Sequence, residues 1–131
     1  MDIRERFQRP EWLLRREAEI ERAEGMCESC EATGELEVLV PFLSASRNPW
    51  DYPEGSYRVF CPSCMQSHRT LESRAREALS QLGTPELESL FNTLLLVLEV
   101  PAAERAGSVE RLYAAARRER ETQAGYPEHV Y

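Results

Sequence analysis

Apolar residues recur at helical spacing over most of this chain and at strand spacing in only two short places. Residues 10–24 are strong helix formers in which Trp12, Leu13, Leu14, Ile20 and Ala23 make a loose apolar stripe. Pro10 suits the first helical position and Gly25 the stop. Arg15, Arg16, Glu19 and Glu21 fall mostly off that stripe, and Arg15 can pair with Glu19 at i, i+4. From residue 26 to 69 the pattern changes. Residues 36–40 (Leu-Glu-Val-Leu-Val) and 57–60 (Tyr-Arg-Val-Phe) read as strands, and residues 48–55 between them are dense in turn formers. Helical spacing returns at residue 70, where Leu71, Ala75, Ala78, Leu79 and Leu82 share a face that Gly83 ends. Thr84 and Pro85 then read as an N-cap and first helical residue. Leu87, Leu90, Phe91, Leu94, Leu95 and Leu98 follow on one wide face, which marks this helix as the buried centre of the C-terminal half. Pro101 interrupts, and Ser108 is the expected N-cap of a last helix carrying Val109, Leu112, Tyr113 and Ala116.

This pattern divides the 131 residues into an N-terminal helix (1–25), a central module with its following helix (26–82), C-terminal helices (83–124) and an irregular tail (125–131). The expected class is α+β and mainly helical. No apolar run approaches the roughly 20 residues of a membrane helix; the longest, Leu94 to Leu98, has five. No membrane partner is expected. The first residues are charged and lack an apolar signal core, so a cytoplasmic location is the expectation.

Charge narrows the classes of partner. The net charge is −7, and all 16 basic side chains are arginine. An acidic total disfavours bulk, non-specific binding to nucleic acid, which depends on neutralising phosphates. Any phosphate or carboxylate contact would be made by guanidinium forks.

The cysteines carry the strongest chemical signal. Cys27-Glu28-Ser29-Cys30 and Cys61-Pro62-Ser63-Cys64 are two C-x-x-C pairs that use the whole cysteine complement. Each pair lets two thiolates converge on one ion, and two pairs make the all-sulfur tetrahedral shell of a structural Zn²⁺ site. With four protein ligands, no position remains for a water to be activated, so one structural zinc ion is the expected cofactor. A disulfide framework would go with export, and a thioredoxin-like redox pair would need a βαβ pattern that is missing. Nothing in the sequence favours iron.

Around these cysteines the residues from Trp12 to Thr70 resemble the zinc-containing branch of the HNH endonuclease family. The resemblance is carried by residues 12–17 (Trp-Leu-Leu-Arg-Arg-Glu), the approach to Cys27 (residues 21–27), residues 34–38 (Gly-Glu-Leu-Glu-Val) and residues 59–64. It covers a little under half of the chain and implies a treble-clef-like ββα zinc module. The family's reaction is another matter. Its catalytic histidines follow the Leu-Glu-Val strand, where this chain has Leu39 and Val40, and neither can take a proton or hold a metal. Met65 stands where His or Asn completes the family's catalytic metal site, and Glu31 replaces a common glycine. A non-catalytic binding protein is therefore expected, with no catalytic residues.

Its partner is expected to be a protein, with a role in nucleic-acid machinery of the phage or mobile-element regulator or inhibitor type. The alternative is a DNA- or RNA-binding adaptor using Arg69, Arg74 and Arg76 on the helix after the second pair, although Glu72 and Glu77 sit among them. A metal-dependent HNH nuclease ranks last. The candidate binding surface comprises His68, Arg69, Arg74 and Arg76 with Trp50 and Tyr52, which sit with Tyr57 in or beside the turn-rich loop. These aromatics are either partner anchors or the cover of the module's small core. Arg117, Arg118 and Arg120 are interrupted by Glu119 and Glu121 and read as a solvated face. The Leu87–Leu98 helix is also a candidate homodimer seam, because few other helices are available to cover it.

Overall fold

The computed structural model describes residues 2–41 and 46–124; the expected tail, 125–131, lies outside them. The order is α1 (Ile3–Arg6), α2 (Pro10–Arg22), β1 (Glu37–Leu39), β2 (Arg58–Phe60), α3 (Pro62–Leu79), α4 (Thr84–Glu99) and α5 (Ala102–Ala124). The fold is α+β and mainly helical. The two strands pair antiparallel, with Val38 opposite Val59. The chain forms two compact units, Met1–Glu77 and Ala78–Tyr131.

In the first unit α2 begins at Pro10 and ends sooner than its helix-forming residues suggest. Glu24, at φ 58°, already takes the left-handed turn, followed by Gly25 at 69°. The Gly25 N–H donates to the Ile20 carbonyl at 2.9 Å and the Glu24 N–H to Glu21 at 2.9 Å, the paired bonds of a Schellman ending.

The buried face of α2 is not the leucine stripe. Leu13 and Leu14 are 51% and 68% exposed, whereas Trp12 and Glu19, one heptad apart, are buried. Glu19 is tolerated there because two guanidinium groups flank it, Arg15 at 3.2 Å and Arg22 at 2.8 Å.

Two small cores result. Cys27, Leu36, Val59, Phe60 and Met65 form one, with Ile20 and Ala23 of α2 packed against it. Trp12, Val40 and Tyr57 form the other, covered by Phe7, Trp50 and Tyr52. Val38 packs against both. Of the two readings left open for the loop aromatics, Tyr57 takes the core one and is completely buried. Its hydroxyl donates to the Pro49 carbonyl at 2.6 Å and accepts the Tyr52 N–H at 3.2 Å, and the Arg15 guanidinium lies 4.5 Å over its ring. This one side chain thus fixes the loop between the strands at two points.

In the second unit α4 starts one residue earlier than expected, after Gly83. α5 starts well before Ser108, immediately after Pro101, since proline itself supplies the break and residues 102–106 are good helix formers that carry the helix through Gly107. Ser108 lies inside α5, its hydroxyl donating back to the Glu104 carbonyl at 3.4 Å. Arg105 closes the corner between the two helices, donating to Val100 and Leu98 carbonyls at 3.0 and 3.1 Å. The Leu87–Leu98 face is not a buried centre: its large side chains are 40–58% exposed, and no described residue of this unit is buried. No described helix is long and apolar enough to cross a membrane.

Replacing Tyr57 with phenylalanine leaves a buried carbonyl and N–H without their partner, which costs about 1–3 kcal/mol. Denaturant unfolding of the purified protein is expected to show that loss in Tyr57→Phe, with little change in the denaturant slope.

Candidate metal centre

Each cysteine pair is shaped by the element next to it. After the Schellman turn the Cys27 N–H donates to Ala32 and the Glu31 N–H returns to Cys27, both at 2.9 Å, closing a tight knuckle. Glu31 occupies the left-handed region at φ 64°, a conformation glycine adopts without cost. The common glycine of the resembling family would therefore fit this backbone better than the residue present. The second pair straddles the start of α3. Pro62 opens that helix, so Cys61 stands at the N-cap place, where its sulfur accepts the Cys64 N–H at 3.5 Å. The helix thus begins eight residues before the expected position, at Pro62 rather than residue 70. Its positive end lies at the sulfurs and favours thiolates.

The four sulfurs lie within 4.8 Å of one another, and Cys30 and Cys61 approach to 3.7 Å. Ligands about 2.3 Å from a central ion at tetrahedral angles are about 3.8 Å apart, so this set can hold one metal ion. No disulfide joins them. Cys27 is buried, Cys61 and Cys64 are half-buried and Cys30 is exposed. Burial acts to raise the Cys27 thiol, but backbone hydrogen bonds at Cys30, Cys61 and Ser29 overcome it and pull the group down to about 6. Cys64 is pushed up to about 12, first by its hydrogen bond with Cys61. The cluster therefore favours one thiolate readily and holds another proton tightly, as four closely spaced anions must without a cation between them.

The first knuckle is tied to β2 through Glu28, a residue that sequence reasoning passed over. Its N–H donates to the Val59 carbonyl at 2.8 Å, and its carboxylate accepts the Val59 N–H at 2.9 Å. The same carboxylate oxygen accepts Arg22 at 2.7 Å, and Arg22 also holds Glu19. That ion pairing raises the Arg22 pKa further. A local signal for Glu19 did exist, because arginines stand four residues before it and three after. Nothing local pointed to Glu28.

The other candidates are dispersed. His68 tilts against Phe60, with ring centroids 5.2 Å apart, and lies 3.6 Å from Glu72. Arg76 pairs with Glu72 at 3.2 Å. Arg69 and Arg74 border a shallow depression on α3 with Gln66, Thr70 and Ser73, free of acidic lining. Trp50 and Tyr52 pack over the second core. Val40 and Met65 are buried core residues, and Leu39 packs on the first core. Compared with family models, curated proteins and solved structures, the chain matches none.

Two outcomes follow for the centre. Glu31→Gly relieves the left-handed strain, partly offset by added chain entropy, and is expected to stabilise the metal-loaded protein by roughly 0.5–1 kcal/mol in chemical denaturation. Metal affinity is expected to fall on acidification, because each thiol must lose its proton to bind. Cys27 is depressed, so its contribution is present at neutral pH and lost as pH falls through about 6. Competition with a chelator between pH 5 and 8 should show the slope of log affinity against pH steepening below about 6.

Proposed function

We propose that Cys27, Cys30, Cys61 and Cys64 bind one structural zinc ion, and that the chain is a non-catalytic binding protein built on a degenerate, treble-clef-like HNH module. The observation that carries this reading is the four-sulfur cluster itself. Thiolates are the donor set zinc prefers, and four of them leave no coordination place for a reacting water. The zinc ion would supply folding free energy to the knuckles and no chemistry.

The apolar character of Leu39, Val40 and Met65 supports the loss of the nuclease reaction, since side chains packed in a core offer no proton acceptor and no oxygen or nitrogen ligand. A protein partner suits the acidic chain, with its guanidinium groups and its many exposed apolar side chains. Nucleic-acid machinery is the setting that the HNH resemblance suggests. Binding of nucleic acid itself is the second reading, favoured by the Arg69 and Arg74 stripe and its lack of acidic lining.

One set of measurements on the purified, reduced chain tests this reading. About one zinc per chain is expected by elemental analysis, with loss of the first unit's structure on chelation. No plasmid cleavage is expected with Mg²⁺, Mn²⁺ or Ni²⁺. A host protein retained by the zinc-loaded chain and released by chelator supports the partner reading. Cleavage abolished by His68→Ala would overturn it. Duplex binding lost in Arg69→Ala/Arg74→Ala and steeply salt-dependent would replace it with the second reading.

A further inference from the structure

The second unit does not bury what it is made of. α4 carries a wide apolar face opposite a polar one formed by Glu88, Asn92 and Glu99, with seven large side chains of the helix between 40% and 64% exposed, and α5 adds Val109, Leu112 and Tyr113, also exposed. An apolar face of that width needs cover, yet within its unit α4 has only α5 and the end of α3 at Leu79 beside it. Two helices of this length with no buried residue lack the tertiary packing on which helix stability in water depends.

The exposed face has a shape. Leu87, Leu90, Phe91 and Leu94 of α4 and Val109 and Leu112 of α5 line one open groove. Thr93 also borders it, but its hydroxyl already donates to the Ser89 carbonyl at 2.9 Å. The groove therefore offers a polar ligand little to bind. Arg105 holds the corner between the helices, so the groove is formed before anything occupies it.

We propose that this groove is the seam of a two-fold homodimer, in which the α4–α5 pairs of two copies close into a four-helix bundle. This stands on the second unit alone and does not depend on the metal. Two features favour a second copy over another occupant. The first is area. A leucine at half exposure leaves on the order of 100 Å² in water, so the groove residues offer roughly 600–700 Å² per chain, close to the about 800 Å² per partner of a standard interface. The second is charge. α4 carries Glu86, Glu88 and Glu99 and no cation, whereas α5 carries five arginines against four glutamates, with Arg111, Arg118 and Arg120 outside the Arg117–Glu121 pair. Under a two-fold axis each acidic α4 can lie beside the more basic α5 of the other copy.

The test is the mass of the full, zinc-loaded chain by sedimentation equilibrium from 1 to 100 µM. The expected result is a species near twice the 15.1 kDa of one chain. A monomer throughout that range overturns the proposal and leaves the groove to a different protein or another part of the same chain. Assemblies that grow without limit overturn the closed two-fold seam. Leu90→Glu/Leu94→Glu is expected to weaken association at least about 100-fold, and Leu13→Glu/Leu14→Glu, exposed in the first unit, to leave it unchanged. Because the first double variant could lose helix, its metal centre is read separately from the thiolate absorption of bound Co²⁺, which should persist. An undiminished dimer in that variant overturns the placement of the seam.

Discussion

Two knuckles separated by some thirty residues must deliver four sulfurs to one point, and nearly every feature of the first unit answers to that convergence. The first knuckle needs α2 to stop cleanly, which the turn at Glu24 and Gly25 provides. The second needs a strand that arrives beside the first and a helix that departs at once, which β2 and Pro62 provide. The hairpin is only three residue pairs long. On its own such a hairpin is marginal in water, so it depends on the knuckles as much as they depend on it.

A chain of charges runs through the same region. Arg15, Glu19, Arg22 and Glu28 connect the ring of Tyr57 to the backbone of β2 by way of α2. Glu19 is the member most removed from water, and its two arginines convert what would be a destabilising burial into a link between the two small cores. Polar residues thereby do part of the positioning that a larger protein would leave to apolar packing.

Much of this was legible in advance, for local reasons. Ligand spacing in a C-x-x-C pair is a short-range property, and proline and glycine mark helix ends within one or two residues, as Pro10 and Pro85 did. The strands at Val38 and Val59 were visible from their β-branched residues. Long-range burial was not. Leu13 and Leu14 look like core and are exposed, while Glu19 and Tyr57 are buried, because burial depends on which partner covers a face and periodicity records only that a face exists. The same distinction explains α4: its wide apolar face was plain, and its cover was not. Where the resemblance looks for catalytic groups, Leu39, Val40 and Met65 pack in or against the two small cores.

Glu28 also bears on the order in which this module assembles. It lies between two of the thiols, yet its own bonds run to Val59 and Arg22 and involve no sulfur. The first knuckle is thus docked on β2 by bonds that need no ion. Cys61, which follows β2 directly, is carried alongside the first knuckle by the same strand. Under the proposed zinc reading, a hairpin slow to form would therefore register as slow metal uptake.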